Sequence, residues 1–286
     1  MQPHDTVRTN PDASVLVQHR VHGFSDSWVI VEQPVPEAAW HDHAIELLRA
    51  LLSHWVAGTG RDAVVFRNLA IRLRSDRPQI GFDPDIMLVA PAPPGASELS
   101  SLRLWVPEHR VPSLVIEVVS PGHPYKDYVE TPDKCAALGV HELVVFDPLL
   151  VGPKVEGVAR RLQLWRRTDS GAFERVASGE APAFSETLGA YFVPTERGRR
   201  LRIAEDAAGQ RPWLTGEEAQ REIARVERAA KEAERAAREQ ERAAREQERA
   251  VWEREKAETE FERAEKERVL ARVAELEAEL RKRSTE

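Results

Sequence analysis

Apolar positions recur with a helical period between Trp40 and Val56. Ala44, Ile45, Leu47, Leu48, Leu51, Leu52 and Trp55 fall on one stripe, and Gly58 and Gly60 close the segment. Shorter runs with strand character follow: 62–67 (DAVVFR), 69–74 (LAIRLR), 84–90 (PDIMLVA) and 113–120 (SLVIEVVS). A second helix is predicted around Pro132–Leu138, ended by Gly139. Glu142–Phe146 (ELVVF) reads as a buried strand stopped by Asp147-Pro148. Arg161–Arg167 and Phe173–Val176 read as a hairpin joined by Asp169-Ser170-Gly171. Helix, several strands, helix, strand and a small β appendage make an α/β or α+β domain.

The pattern changes near Gly216. From Glu217 to Glu286 there are 21 Glu and 18 Lys or Arg, with neither Pro nor Gly. Thr215 or Gly216 can cap a helix whose first turn carries Glu217 and Glu218. The heptad E-R-A-A-R-E-Q runs from Glu234 and again from Glu241, rich in helix formers and in Glu/Arg spacings that support a helix locally. One seam (Ala230, Ala233, Ala237, Gln240, Ala244, Gln247, Val251) is small and half polar. A better one, Val269, Val273, Leu276 and Leu280, is spaced 4-3-4. Self-association through the last turns and a solvated spacer helix both fit. The expected organisation is an extension (1–22), a domain (23–205), a linker (206–216) and a long charged helix (217–286).

Composition narrows the classes. The 286 residues carry a formal net charge of −7, which does not suit a dedicated nucleic-acid coat protein. The single cysteine, Cys135, excludes an internal disulfide framework and any multi-cysteine zinc site. No run of 18 apolar residues exists, so no membrane span is expected. The N-terminus lacks an apolar signal region, so a cytoplasmic location is expected.

Two acids break the apolar pattern. Asp85 opens a strand that continues Ile-Met-Leu-Val, and Glu117 interrupts L-V-I-E-V-V, where an ionised carboxylate is costly unless paired or bound to a metal. On neighbouring strands the two would converge into a hard-cation site suited to Mg²⁺, with Mn²⁺ as an alternative. A lysine on the following helix, Lys134, would complete an apparatus for phosphodiester hydrolysis. Plainer readings stand beside these: Glu117 paired with Arg72 or Arg74, Asp85 as a turn carboxylate, and Lys134 as a solvated helix lysine.

These residues carry a resemblance. P-D-I-M-L-V (84–89), L-V-I-E-V-V-S-P-G-H (114–123), Y-K-D-Y (125–128) and A-A-L-G-V-H-E-L-V-V-F-D-P (136–148) resemble the Uma-type restriction endonuclease family of the PD-(D/E)XK nuclease superfamily. The resemblance runs from about Val31 to Pro194. It implies a restriction-endonuclease-like core, a mixed β-sheet flanked by helices, with metal roles for Asp85 and Glu117. The superfamily lysine two residues after the second acid is here Val119. The family's alternative, four residues before a tyrosine, falls on Thr131, with Cys135 in the tyrosine position. That leaves Lys134, or Lys126 on the preceding loop.

The expected function is therefore Mg²⁺-dependent endonucleolytic cleavage of DNA. Asp85 and Glu117 hold the metal, Lys134 assists the water, and a homodimer or partner protein is engaged through the C-terminal helix. The alternative is a catalytically inactive nuclease-fold module for nucleic-acid or protein interaction. Accessory candidates are Glu46 on the first helix, Lys126, and His123 on the S-P-G-H-P loop. His41 and His43, two apart, fall on different helix faces, with His43 expected to cap or pack at the helix start. Cys135 reads as a small core residue and Asp147-Pro148 as structural. Arginines at 67, 72, 74 and 77, at 160, 161, 166 and 167, and at 197, 199, 200 and 202 could meet phosphates.

Overall fold

The computed structural model describes residues 18–19, 24–30, 39–122, 124–152 and 159–283. In chain order the elements are β1 (Gln18–His19), α1 (Ala39–Thr59), β2 (Val64–Arg67), β3 (Ile71–Arg72), β4 (Gly81–Phe82), β5 (Ile86–Val89), β6 (Leu102–Arg103) and β7 (Leu114–Val118). After these come α2 (Thr131–Leu138), β8 (Glu142–Phe146), β9 (Leu162–Arg167), β10 (Phe173–Gly179), β11 (Ala183–Ser185), β12 (Ala190–Thr195), β13 (Arg200–Ala204) and α3 (Gly216–Arg283). Two compact units divide the chain at residues 219 and 220. Apart from β1, the expected N-terminal extension lies outside the described residues.

In the first unit a seven-stranded sheet has the order β1-β10-β9-β8-β7-β5-β2. Only β7 and β8 run parallel, so the sheet is mixed. Parallel neighbours need a crossover, and the stretch containing α2 supplies it. β7 and β8 are buried throughout, as central strands covered on both faces must be. On one face α1 lays Ile45, Leu48, Leu51 and Leu52 against Ile86, Leu88, Leu114, Ile116 and Val144, together with Phe192 and Ile203 of the sheet β11-β12-β13. The other face carries Met87, Val115 and Val145 and meets Cys135, Ala136 and Leu138 of α2. There Ile71, Phe82 and Leu102 of the small sheet β4-β3-β6 join them. Each fully buried Leu or Ile contributes about 1.5–3 kcal/mol, which favours this three-layer packing.

The mixed sheet flanked by helices and followed by a long helix is the architecture expected from the sequence. Three local readings are corrected. The segment 69–74 forms only the two-residue β3, outside the central sheet. The hairpin β9–β10 is not an appendage, since β9 pairs with β8 and extends the main sheet. The additional β structure is β11-β12-β13, whose strands are short or polar-alternating.

Helix α3 starts with a capping box. The Glu218 N–H donates to Thr215 Oγ1 (3.1 Å), and the Thr215 N–H donates to Glu218 Oε2 (2.9 Å). In the second unit the helix is solvent-facing and laced by i,i+4 pairs such as Glu234–Arg238, Glu241–Arg245 and Arg249–Glu253. Val269, Val273 and Leu276 are exposed, and the Leu280 side chain lies outside the described residues. Among the described residues no helix is long and apolar enough to cross a membrane.

Candidate functional site

The register of β5 on β7 pairs Leu88 with Leu114, Met87 with Val115 and Ile86 with Ile116. One step further sets Asp85 opposite Glu117. Cross-strand neighbours share a face, here the face of Met87 and Val115 that α2 covers. Asp85 sits past the end of β5, where its side chain takes over from the backbone ladder: the Val118 N–H donates to Asp85 Oδ2 at 2.7 Å. His41, at the start of α1, is buried against the same strand end. Its Nε2 donates to the Val118 carbonyl (2.6 Å) and lies 3.6 Å from Asp85 Oδ2.

Glu117 is 1% exposed, and its Oε1 has no hydrogen-bond partner. Burial pushes its pKa well above the usual carboxylate range. Lys126 opposes that rise most, Asp85 and Asp127 reinforce it as like charges, and Lys134 opposes it more weakly. Lys126 is correspondingly held protonated, first by Glu117, against the cost of its own burial. Asp127 is buried, and its pKa rises to about 7. Burial is the main cause, opposed by Lys126 and reinforced by Asp85.

The backbone explains how two lysines eight positions apart bear on one carboxylate. The helix leading into α2 contains a π-helical turn, Lys126–Glu130. In an uninterrupted α-helix, residues eight apart are about 80° out of register; one residue taken up in a π turn leaves about 20°. Lys134 is nearly buried and pairs with Glu130 Oε2 at 3.6 Å. Between the lysines, Thr131 is fully buried with its Oγ1 unpartnered. Cys135, one turn on, is buried too, and burial followed by the charge of Glu117 pushes its thiol pKa well up, which suits a core residue.

The structure thus brings Asp85, Glu117, Lys126 and Lys134 together, with Lys126 the stronger charge on Glu117. It does not bring Glu46 in: α1 covers the opposite face, and Glu46 pairs with Arg49 (2.7 Å) and Arg67 (3.4 Å). His123 lies outside the described residues. The plainer pairing of Glu117 with Arg74 is not found, because Arg74 is held by Asp26 and Asp76. Arg72 donates to the Pro78 carbonyl. Of the two histidines, His41 packs and His43 is exposed, reversing the expectation for His43. Sequence reasoning also missed Asp127; its signal was an acid in Y-K-D-Y close behind the strand end.

Asp147 is structural, as read from the sequence. It is fully buried and accepts from the N–H groups of Leu149 (3.3 Å), Val151 (3.1 Å) and Gly152 (2.8 Å). The Tyr128 hydroxyl lies 2.9 Å from Asp147 Oδ2, tying the crossover to the end of β8.

Among the described residues no group of three or more His, Cys, Asp or Glu could hold a metal ion. Mg²⁺, however, is commonly held by one or two carboxylates while keeping several waters. An unpartnered Glu117 oxygen opposite Asp85 fits that mode.

Comparison with known proteins gave one family. The Uma2 family, described as putative restriction endonuclease, matches residues 24–189. No curated protein matches the chain. A solved structure, a putative nuclease belonging to DUF820 from Anabaena variabilis, is similar at 15% identity with a TM-score of 0.39. The alignment covers 55% of this chain and 78% of that one.

Proposed function

The chain belongs to the Uma2 family of putative restriction endonucleases, and from that premise we propose that it is a Mg²⁺-dependent endonuclease that hydrolyses DNA phosphodiester bonds. The observation that carries this reading is the buried Glu117, with Oε1 unpartnered, opposite Asp85 at the end of a central strand. An acid held there without a pairing arginine costs stability, and function is the compensating reason for its presence.

In this reading Asp85 and Glu117 hold the cation, with Mn²⁺ as a substitute. When bound, it supplies a lowered water pKa and offsets charge on the phosphate. The Val118 N–H fixes one Asp85 oxygen, and His41 holds the Val118 carbonyl, so the strand end that presents both acids is rigid. Lys126 is the leading candidate to orient the attacking water and oppose charge on the phosphate oxygens, because it acts most strongly on Glu117. Lys134, one face-register further along, is the second candidate. A homodimer paired through the last turns of α3 would set two sites against two strands, and the protein would work in the cytoplasm.

The test is nicking of supercoiled plasmid by the full-length protein with Mg²⁺, with Mn²⁺ and with EDTA, beside Glu117→Ala. Metal-dependent nicking that vanishes in the variant supports the reading. No cleavage of any DNA form by the wild type, combined with intact nucleic-acid binding, would replace it with a non-catalytic interaction module, which Thr131 in the expected lysine position favours.

A further inference from the structure

The carboxylates lie at one end of the central sheet, and the left-handed non-glycine residues of the described chain gather toward that end. At that end β2 finishes at Arg67, β5 starts after Asp85, β7 and β8 finish at Val118 and Phe146, and β9 begins after Arg161. Among the described residues the non-glycine positions with positive φ are Asn68 (48°), Leu150 (54°), Glu196 (51°) and Arg197 (58°). Asn68 follows β2, Leu150 follows β8, and the other two form the β12–β13 turn. That turn is closed by the Gly198 N–H donating to the Thr195 carbonyl (2.8 Å). Two successive left-handed residues in a hairpin turn normally select Asn-Gly; Glu-Arg is a costly choice.

The turn is built into its surroundings. Arg161 donates to the Gly198 carbonyl (2.9 Å), the Pro148 carbonyl (2.9 Å) and Glu180 (2.8 Å), and it packs so closely on Gly198 that an added Cβ would meet its Cδ. Between the β8 end and the turn lies a cleft of about 520 Å³ lined by Pro148, Leu149, Arg161, Glu196, Arg197 and Arg199.

Most of the arginines read from the sequence as possible phosphate contacts are already engaged. Arg67 is held by Asp42 and Glu46, Arg74 and Arg77 by Asp26, Arg166 by Glu142 and Glu186, Arg200 by Glu196 and Arg202 by Glu218. Arg167 is spent on the carbonyls that end α2. Arg197 and Arg199 are exposed, and among the described residues they have no carboxylate partner. Glu196, which also lines the cleft, pairs with Arg200 at 3.0 Å.

We propose that this cleft is a phosphate-binding subsite in which Arg197 and Arg199, presented by the strained turn and braced by Arg161, grip the backbone of the nucleic-acid strand being cut. The proposal rests on the nuclease reading and names where that substrate is held. Arg161, which borders the cleft, precedes β9, and β9 lies two strand spacings, about 10 Å, from β7 in the central sheet.

The experiment is fluorescence anisotropy of a labelled duplex with the full-length protein in EDTA, repeated over a range of salt, beside plasmid nicking with Mg²⁺. The variant is Arg197→Asn/Arg199→Gln; asparagine tolerates positive φ, so the turn keeps its shape. Arg225→Gln on α3 is the charge control. The expected result is at least tenfold weaker binding, with the salt slope reduced by about 1.8 for two lost phosphate contacts and Arg225→Gln unchanged. Unchanged binding and slope in the double variant, with nicking intact, overturns the subsite alone. Arginine-dependent binding without any nicking supports the subsite and overturns the cleavage reading. No binding and no nicking overturns both.

Discussion

Asp85 and Glu117 face each other one step past the last paired residues of β5 and β7, yet only Asp85 is supported by the backbone: Val118 donates to Asp85 Oδ2 at 2.7 Å, while Glu117 Oε1 receives nothing. Two carboxylates opposite one another repel, and one without donors is held at the expense of stability.

Replacing that charge with a neutral amide should therefore stabilise the metal-free fold while destroying activity. The folded-state pKa of Glu117 is raised, so its burden is absent below the unfolded value of 4.5 and grows as pH rises toward the folded value. Glu117→Gln is expected to melt above the wild type at pH 8 in EDTA, with the gap closing below pH 4.5. Calorimetry across pH checks this. A lower melting temperature at pH 8 would mean that the carboxylate is satisfied in the fold.

Asp127 titrates in the accessible range. Its pKa rises from 3.8 to about 7, first through burial. The folded state then binds the extra proton between those values, so this group lowers stability as pH climbs from about 4 to about 7, with no further change above. Asp127→Asn should flatten that part of the stability curve in chemical unfolding at fixed metal. An unaltered curve would show that Asp127 is ionised throughout.

The two lysines separate by rate. Loss of a group that positions or transfers a proton costs about 10²–10⁴-fold. Lys126→Ala should fall in that range, and Lys134→Ala, whose ammonium pairs with Glu130, should lose less. Nicking rates at saturating Mg²⁺ decide, and the reverse order would make Lys134 the working residue.

Away from the site, Glu142 pins β8 to the β11–β12 corner. It is fully buried, accepts from Arg166 Nε (2.8 Å) and the N–H groups of Glu186 (2.9 Å) and Thr187 (3.1 Å), and is bonded by Ser185. Burial raises its pKa, but these donors outweigh it and the net shift is downward. Its contribution is present above the unfolded value of 4.5 and is lost as pH falls below it. Glu142→Ala should cost about 3 kcal/mol at pH 7 by urea unfolding, with the cost shrinking as pH is lowered below 4.5.

The sequence disclosed these features unevenly, for physical reasons. α1, β7 and β8 were legible because their periodicity or continuous apolar character mirrors how they are buried. The sheet β11-β12-β13 was not, since its strands are short, carry Pro194, or alternate with Arg200 and Arg202. Asp85 and Glu117 stood out as acids in apolar runs. His41 and Asp127 did not, because their burial arises from α1 and the π turn converging on one strand end, a tertiary fact with no local pattern. Lys134 stood out as the helix lysine, but the π turn that carries Lys126 has no signature in the local pattern.

That turn lets the chain between Lys126 and Thr131 carry one residue more than an ordinary helix without turning the lysines apart. Removing one residue there would restore an ordinary α-helix with the lysines seven positions apart, again about 20° out of register. Both would still face one side. Related sequences that lack a single residue in this stretch would thus be expected to keep the lysines together, and a gap in an alignment here would not mean a rewired site.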